Sequence, residues 1–267
     1  DIDAALIINS LAGYIAIQNM DSLSGVCAAN DIFLINDVSG SIGLPESKIG
    51  DVIVGSFGKA KPINLGKGGF IATNDKELFD SRKEILNEGF YAPILDGIKK
   101  IISEFMEKSK LENINILDVG CGEGYYSHNL SECENYNVFA FDISKQAISL
   151  ATDYSSQVNW CIADLSNLPF KERSMDIIID ILTPANYKEF KRVLQNQGML
   201  IKVIPGDEYL KEIRNIASSQ LKNKTYSNKD TADYSALNMK LIAREKIVYT
   251  LPVTENQLAN FIRMTPM

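Results

Sequence analysis

The stretch ILDVGCGEGYYSHNL, residues 116–130, decides the fold. Its apolar start, closed by Asp118 and Val119, reads as a buried strand, Gly120, Gly122 and Gly124 as a sharp turn, and the residues after Gly124 as a helix. Glycines at such a turn let the backbone reverse and approach a ligand where a Cβ would clash. The turn gains meaning from Asp142, which closes the next apolar run 24 residues beyond Asp118. A carboxylate at that strand end is placed to accept both hydroxyls of a ribose. A dinucleotide fingerprint spaces its glycines G-x-G-x-x-G, whereas here an acidic residue precedes G-x-G-x-G. That spacing fits S-adenosylmethionine better than NAD.

Working outward, apolar runs at 114–119, 138–141, 158–162, 175–181 and 199–204 are separated by helix-compatible sequence, the pattern of a doubly wound parallel sheet. Upstream, a helix is expected from 94 to about 108, with apolar residues at 94, 95, 98, 101, 102 and 105. Downstream, a helix is expected from 208 to about 222, then a polar mobile loop over 223–235, then a helix over 255–263. The first eighty residues alternate short strands (4–8, 32–35, 52–54, 70–73) with one amphipathic helix (21–29), a separate α/β layer. The domain boundary is placed between 81 and 82.

Composition narrows the classes. The chain has 267 residues, 45% of them hydrophobic, enough for one large core or two modest ones, which excludes disorder and disulfide scaffolds. Cys27, Cys121, Cys133 and Cys161 show no C-x-x-C spacing, so neither zinc nor disulfides are implied. No apolar run approaches a membrane span, and no basic leader precedes one, so the cytoplasm is the expected location. The net charge of -7 sits mostly in residues 1–81, where 5 basic residues face 10 acidic ones. This disfavours unaided binding of nucleic acid, although Lys211, Arg214, Lys222, Lys224 and Lys229 form a candidate phosphate-contacting edge.

The strand ends and glycine turn, with FDIS (141–144), CIADLSNLPF (161–170) and SMDIII (174–179), resemble the class I S-adenosylmethionine-dependent methyltransferases. The resemblance implies a Rossmann-like methyltransferase sheet preceded by a partial α/β segment. It implies that Gly120, Gly122 and Gly124 pass the amino-acid part of the cofactor, that Asp142 holds the ribose, that Ala163 and Asp164 flank the adenine, and that Asp118, Cys121, Ile143 and Thr183 belong to the same cofactor site. Thr183 and Asn186, after the fourth strand, are also placed to hydrogen-bond a substrate amide or ring nitrogen. Residues 82–267 are more specifically similar to the ribosomal RNA guanine-N1 methyltransferases, through SRKEILNEGFYAPI (81–94), PGDEYLKEI (205–213) and MTP (264–266). That family carries a cysteine-rich zinc module, absent here, and a further strand after MTP; either the chain is truncated or another segment fills that place. Candidate substrate residues are Tyr91, Pro184, Asn186 and Tyr187. Each has a plain structural alternative: Asn186 as the start of a helix, the aromatics as core. His128, the only histidine, receives no chemical role.

Residues 3–75 resemble part of the large domain of fold-type I, nucleotide-sugar aminotransferases, through FLINDVSGSIG (33–43) and DVIVGSFGKAKPINLGKGGFIATND (51–75). On that resemblance Asp37 corresponds to the pyridinium partner and Lys61 to the Schiff-base lysine of pyridoxal phosphate. The phosphate-binding half of that fold is missing, so a relic or scaffold is favoured over an aminotransferase, and residues 1–81 are a candidate homo-oligomer surface. Two classes of function follow: a methyltransferase acting on a nucleobase of RNA or on a planar small molecule, or an assembly protein with a vestigial cofactor pocket.

Overall fold

The computed structural model describes residues 4–9, 19–41, 44–56, 69–73, 76–216 and 228–264. The chain divides into two compact units, one reaching Asp80 and one starting at Ser81.

In the first unit, strands β1 (Ala4–Asn9), β2 (Ile32–Asp37) and β3 (Val52–Ser56) run parallel, and β4 (Gly69–Thr73) returns antiparallel beside β3. Helix α1 (Met20–Ala29) connects β1 to β2; its first turn is capped by Asn19, whose side-chain oxygen accepts the Ser22 amide at 3.1 Å. The core here is small, with Ile8, Met20, Cys27 and Leu34 at its centre. Asp37 accepts the Ser39 amide through Oδ1, a local turn contact. Lys61 lies outside the described residues.

Helix α2 (Lys76–Asn87) spans the division between the units, and in the second unit α3 (Ala92–Ser109) leads into the sheet. Pro93 in the first turn suits α3, because its missing N–H is unpaired there in any helix, and Lys110 ends it with a left-handed backbone at φ 56°. Leu95, Ile98 and Ile102, spaced three and four apart, form its buried stripe. Five parallel strands follow: β5 (Ile114–Val119), β6 (Tyr136–Asp142), β7 (Asn159–Ile162), β8 (Met175–Ile181) and β9 (Leu194–Val203). Their spatial order is β7-β6-β5-β8-β9, so the winding reverses between β5 and β8. This is the Rossmann-like α/β arrangement. Helices α4 (Tyr125–Ser131), α5 (Lys145–Thr152) and α6 (Tyr187–Val193) make the crossovers. An asparagine ladder locks the register at the amino-terminal edge: Asn159 donates to Asn137 at 3.1 Å and Asn137 to Asn115 at 2.9 Å, while the Asn115 amide donates to Asp176 at 2.8 Å. Side chains from alternate strand positions feed two cores, one around Ile116, Ile177 and Ile179, the other around Leu117, Val119 and Ile178.

Three expectations change after β8. Strand β9 begins at Leu194, immediately after α6, five residues before the expected start: Leu194 already pairs with Met175, and after a register shift that leaves residues 195–198 out of the ladder, pairing resumes between Met199 and Ile177. Helix α7 covers only Lys211–Ile216 among the described residues; Leu210, left-handed at φ 49°, cannot sit inside a helix and delays the start. The polar stretch expected as a mobile loop is helical from Lys229, in α8 (Lys229–Asn238). The hydroxyls of Ser235 and Tyr187 hydrogen-bond, and Tyr234 packs edge-on against the Tyr187 ring at 5.6 Å, so tertiary contacts supply what the composition does not show. Residues 223–227 of that stretch are outside the described set. Helix α9 (Glu255–Met264) closes the unit, its Phe261 edge-on to Phe90 at 5.1 Å. None of the described helices is long and apolar enough to cross a membrane.

Candidate active site

The strand ends lie level in the sheet: Val119 pairs with Phe141 and with Asp180, Asp142 with Ile162, and Asp180 with Lys202. Open α/β sheets bind ligands in the crevice beyond these carboxyl ends, at the point where the winding reverses. The glycine turn is at this crevice. Gly120, Gly122 and Gly124 all have left-handed backbones, at φ 63°, 56° and 85°. Two of them serve close approach within the protein: a Cβ on Gly120 would stand 2.6 Å from Thr183 Cγ2, and one on Gly124 would stand 2.4 Å from the Trp160 ring. Gly124 is thereby accounted for by packing against β7, with no ligand needed.

Asp142 organises the turn. Its Oδ2 accepts the Gly122 amide at 3.0 Å and its Oδ1 accepts the Ser144 amide at 2.8 Å. Each carboxylate oxygen has a second acceptor direction, so the group retains capacity for a pair of hydroxyls. Beside it Ile143 is 71% exposed, and Ile162 at the end of β7 is 53% exposed, leaving apolar surface for a planar ring. The Ala163 amide donates to the Asp142 carbonyl at 3.1 Å; Asp164 is exposed, and its Oδ1 accepts the Ser166 amide at 2.7 Å. A ribose and a flat base fit this row of groups.

Asp118 is sealed beneath the turn, 2% exposed, with its Oδ2 accepting the Ser127 hydroxyl of α4. Burial pushes its carboxyl up to about 7, the Ser127 hydrogen bond opposes this, and the charges of Asp142 and Asp180 add to it. Asp118 therefore supports the loop from below and does not reach the crevice surface. Cys121 is also buried, its amide donating to the Phe141 carbonyl at 3.0 Å, and burial pushes its thiol up, away from reactivity.

On the other side of the crevice, Thr183 donates its hydroxyl to the Ile181 carbonyl at 3.0 Å, which leaves the oxygen as an acceptor. Pro184 is half-buried. Asn186 caps α6, accepting the Glu189 amide at 3.3 Å, and its amide nitrogen donates to the Leu165 carbonyl at 3.0 Å, so both ends of the side chain are engaged within the fold. Tyr187 and Tyr91 are 5% and 4% exposed and their rings belong to the cores; the Tyr91 hydroxyl meets that of Tyr209 at 2.7 Å. The geometry brings Thr183 to the crevice and holds Asn186, Tyr187 and Tyr91 in structural roles. Of the basic edge, Arg214 donates to the Asp207 carbonyl and Lys211 pairs with Glu208, while Lys222 and Lys224 fall outside the described residues.

Two groups escaped the sequence reading. Asp180, fully buried at the end of β8, is bonded to Lys202 Nζ at 2.8 Å, and the same ammonium donates to the Thr183 carbonyl at 2.8 Å. Burial pushes the Asp180 carboxyl up and Lys202 pulls it back. The signal was present as charges inside MDIIIDI and LIKV, runs read as apolar strands. Leu182, beside them, carried no signal.

A doubly wound sheet with a glycine turn, a ribose-directed carboxylate and an apolar shelf at its switch point defines a nucleoside-cofactor enzyme of the methyltransferase type. The chain belongs to the methyltransferase domain family, whose model matches residues 110–250, and S-adenosylmethionine is its methyl donor. It is 34% identical over 212 residues to the "Putative 23S rRNA (guanine-N(1)-)-methyltransferase YxjB" of Bacillus subtilis (strain 168), an alignment covering 78% of this chain and 72% of the relative. It is 22% identical over 198 residues to the 23S rRNA (guanine(748)-N(1))-methyltransferase of Streptomyces fradiae, covering 73% and 70%. Among solved structures, the plantazolicin methyltransferase BpumL in complex with a triazolic desmethylPZN analog and SAH aligns at 19% identity and a TM-score of 0.43, over 56% of this chain and 60% of that one. An S-adenosylmethionine-dependent methyltransferase from Methanosarcina mazei aligns at 27% identity and a TM-score of 0.34, over 39% and 58%. Residues 3–115 match the DegT/DnrJ/EryC1/StrS aminotransferase family.

Proposed function

We propose that this chain methylates a ring nitrogen of guanine in ribosomal RNA. The observation that carries the reading is the Gly122–Asp142 cradle facing the Thr183 turn across the switch point, in a chain with relatives, the Bacillus subtilis and Streptomyces fradiae proteins among them, named for guanine N1 of 23S rRNA. Asp142 holds the ribose, Ile143 and Ala163 with Asp164 flank the adenine, and the backbone of Gly120–Gly122 borders the amino-acid end. The cofactor supplies an activated methyl group, so the protein's task is to align the acceptor and exclude water. The Thr183 oxygen, having spent its proton on Ile181, suits an N–H donor such as guanine N1–H or its exocyclic amine. Asn186 and Tyr187 act by holding the turn.

Binding is tested by calorimetry with S-adenosylhomocysteine: Asp142→Ala loses a charged two-hydroxyl contact worth about 1.5–3 kcal/mol, a roughly 10- to 150-fold weaker Kd. The acceptor is tested by incubating the protein with tritiated S-adenosylmethionine and either total RNA or a small-molecule extract. Label in RNA, recovered as N1-methylguanosine after digestion, is the expected result. Label confined to small molecules replaces the acceptor, and absence of label in both favours an assembly protein.

A further inference from the structure

Leu182 occupies the first position beyond β8, between Ile181 and the Thr183 side chain against which Gly120 is fitted. Its backbone is left-handed, at φ 56°. Among the described residues, Asp31, Lys110 and Arg173 share that conformation but are polar, and Leu210 packs against the core; Leu182 is apolar and 45% exposed. A bulky residue in this region is strained, and strain survives only where the surroundings over-determine it. Strand β9 provides that constraint. The Leu182 amide donates to the Val203 carbonyl at 3.1 Å, and Lys202, held by buried Asp180, grips the carbonyl of Thr183 at 2.8 Å. The strained peptide is fixed from both sides by one neighbour strand, and the result is an apolar side chain presented to solvent at the switch point.

We propose that Leu182 is the apolar platform on which the planar acceptor ring lies, and that Asp180 and Lys202 are positioning residues that hold it in place. A glycine or asparagine would make the same turn without strain, and a polar side chain would suit the exposure. An apolar face at this point suits a flat heteroaromatic ring, with its N–H edge turned to the neighbouring Thr183 oxygen. This assignment rests on the methyltransferase reading above.

The test is Leu182→Asn, which tolerates a left-handed backbone and removes the apolar face. The assay uses an unmodified 23S rRNA transcript with tritiated S-adenosylmethionine, beside thermal melting and calorimetry with S-adenosylhomocysteine. The expected result is a KM for the transcript raised about tenfold or more, the loss of a base contact of the kind seen for stacking on a side chain, with cofactor Kd unchanged and a melting temperature no lower than that of the wild type. Lys202→Met should raise the same KM, and the double variant should add little to either single one. An unchanged KM, a Kd that weakens in parallel, or a lowered melting temperature accompanying the KM change overturns the assignment, making Leu182 inert, a cofactor contact or a packing residue respectively. A wild-type chain that binds S-adenosylhomocysteine yet labels no transcript overturns the RNA reading and this assignment together, whereas a labelled transcript with Leu182→Asn unaffected overturns this assignment alone.

Discussion

The two sheets of this chain start from the same sequence material, short β-branched strands alternating with helices, and are buried to different degrees. In the five-stranded sheet, β5 and β8 are enclosed on both faces, with Ile116, Leu117, Ile177, Ile178 and Ile179 all at 0% exposure. In the four-stranded sheet, β1 buries only Ile8 and leaves Ile7 at 66% exposure. Parallel sheets are stable when helices cover both faces. The candidate site is found in the sheet that meets this condition, although the first sheet also pairs its strand ends, Asn9 with Asp37. Residues 3–115 match an aminotransferase family, and Asp37 within them accepts the Ser39 amide in a local turn.

The largest expected effect separates the two cores directly. Ile178→Ala removes a side chain with no exposed surface and should cost the second unit about 2–5 kcal/mol. Leu34→Ala, in the smaller core, should release the amides of β1 and β2 to hydrogen exchange while those of β5 and β8 keep their protection. Loss of protection in β5 and β8 with Leu34→Ala would show that the units share one cooperative core and break the contrast.

A second difference is electrostatic. The second unit seals Asp118 in its core, whereas Asp21, Asp31, Asp37 and Asp51 of the first unit are half-buried or exposed. Because burial raises the Asp118 carboxyl from its ordinary value to about 7, the native state holds a proton that the unfolded chain has released. The associated stabilisation is complete below the unfolded value near 4 and is lost as pH rises through about 7. Lowering the pH from 8 to 5 should therefore stabilise the wild type by about 2–3 kcal/mol relative to Asp118→Asn, read from urea midpoints at each pH. Asp180 shifts in the same direction, so the variant keeps part of the slope. Parallel pH profiles for the two proteins would mean that Asp118 is solvated in the folded state.

The order of β5 to β9, the glycine turn and Asp142 were legible because each depends on a run of a few residues or on spacing across one crossover. What was not legible depends on partners distant in sequence. Asn186 reads as a hydrogen-bonding candidate until its nitrogen is seen to reach the Leu165 carbonyl, and Tyr187 until its hydroxyl is seen to meet Ser235. Helix α8 shows no apolar periodicity because it has no buried residue; its polar composition alone reads as a loop. Leu182 adopts a backbone that sequence assigns to Gly or Asn, and the cause lies on the adjacent strand, where the Val203 carbonyl accepts the Leu182 amide and Lys202 donates to the Thr183 carbonyl. Local preference and tertiary constraint disagree at this turn, and the constraint wins.

The smallest expected effect compares a glycine from each unit. Gly124 is irreplaceable on two grounds, a left-handed φ of 85° and a Trp160 ring atom 2.4 Å from any added Cβ. Gly25 lies inside α1, exposed, with nothing within 4 Å of an added Cβ. Ala there restricts the unfolded chain and fits the helix, which should stabilise the first unit by about 0.5–1 kcal/mol. The gain is expected as slower hydrogen exchange of the α1 amides in Gly25→Ala, with cofactor affinity unchanged because the site is built within the second unit. A loss of protection in α1 would place an unseen neighbour against that face, and the first unit would then be covered by a surface of its own kind or another's instead of presenting this helix to solvent.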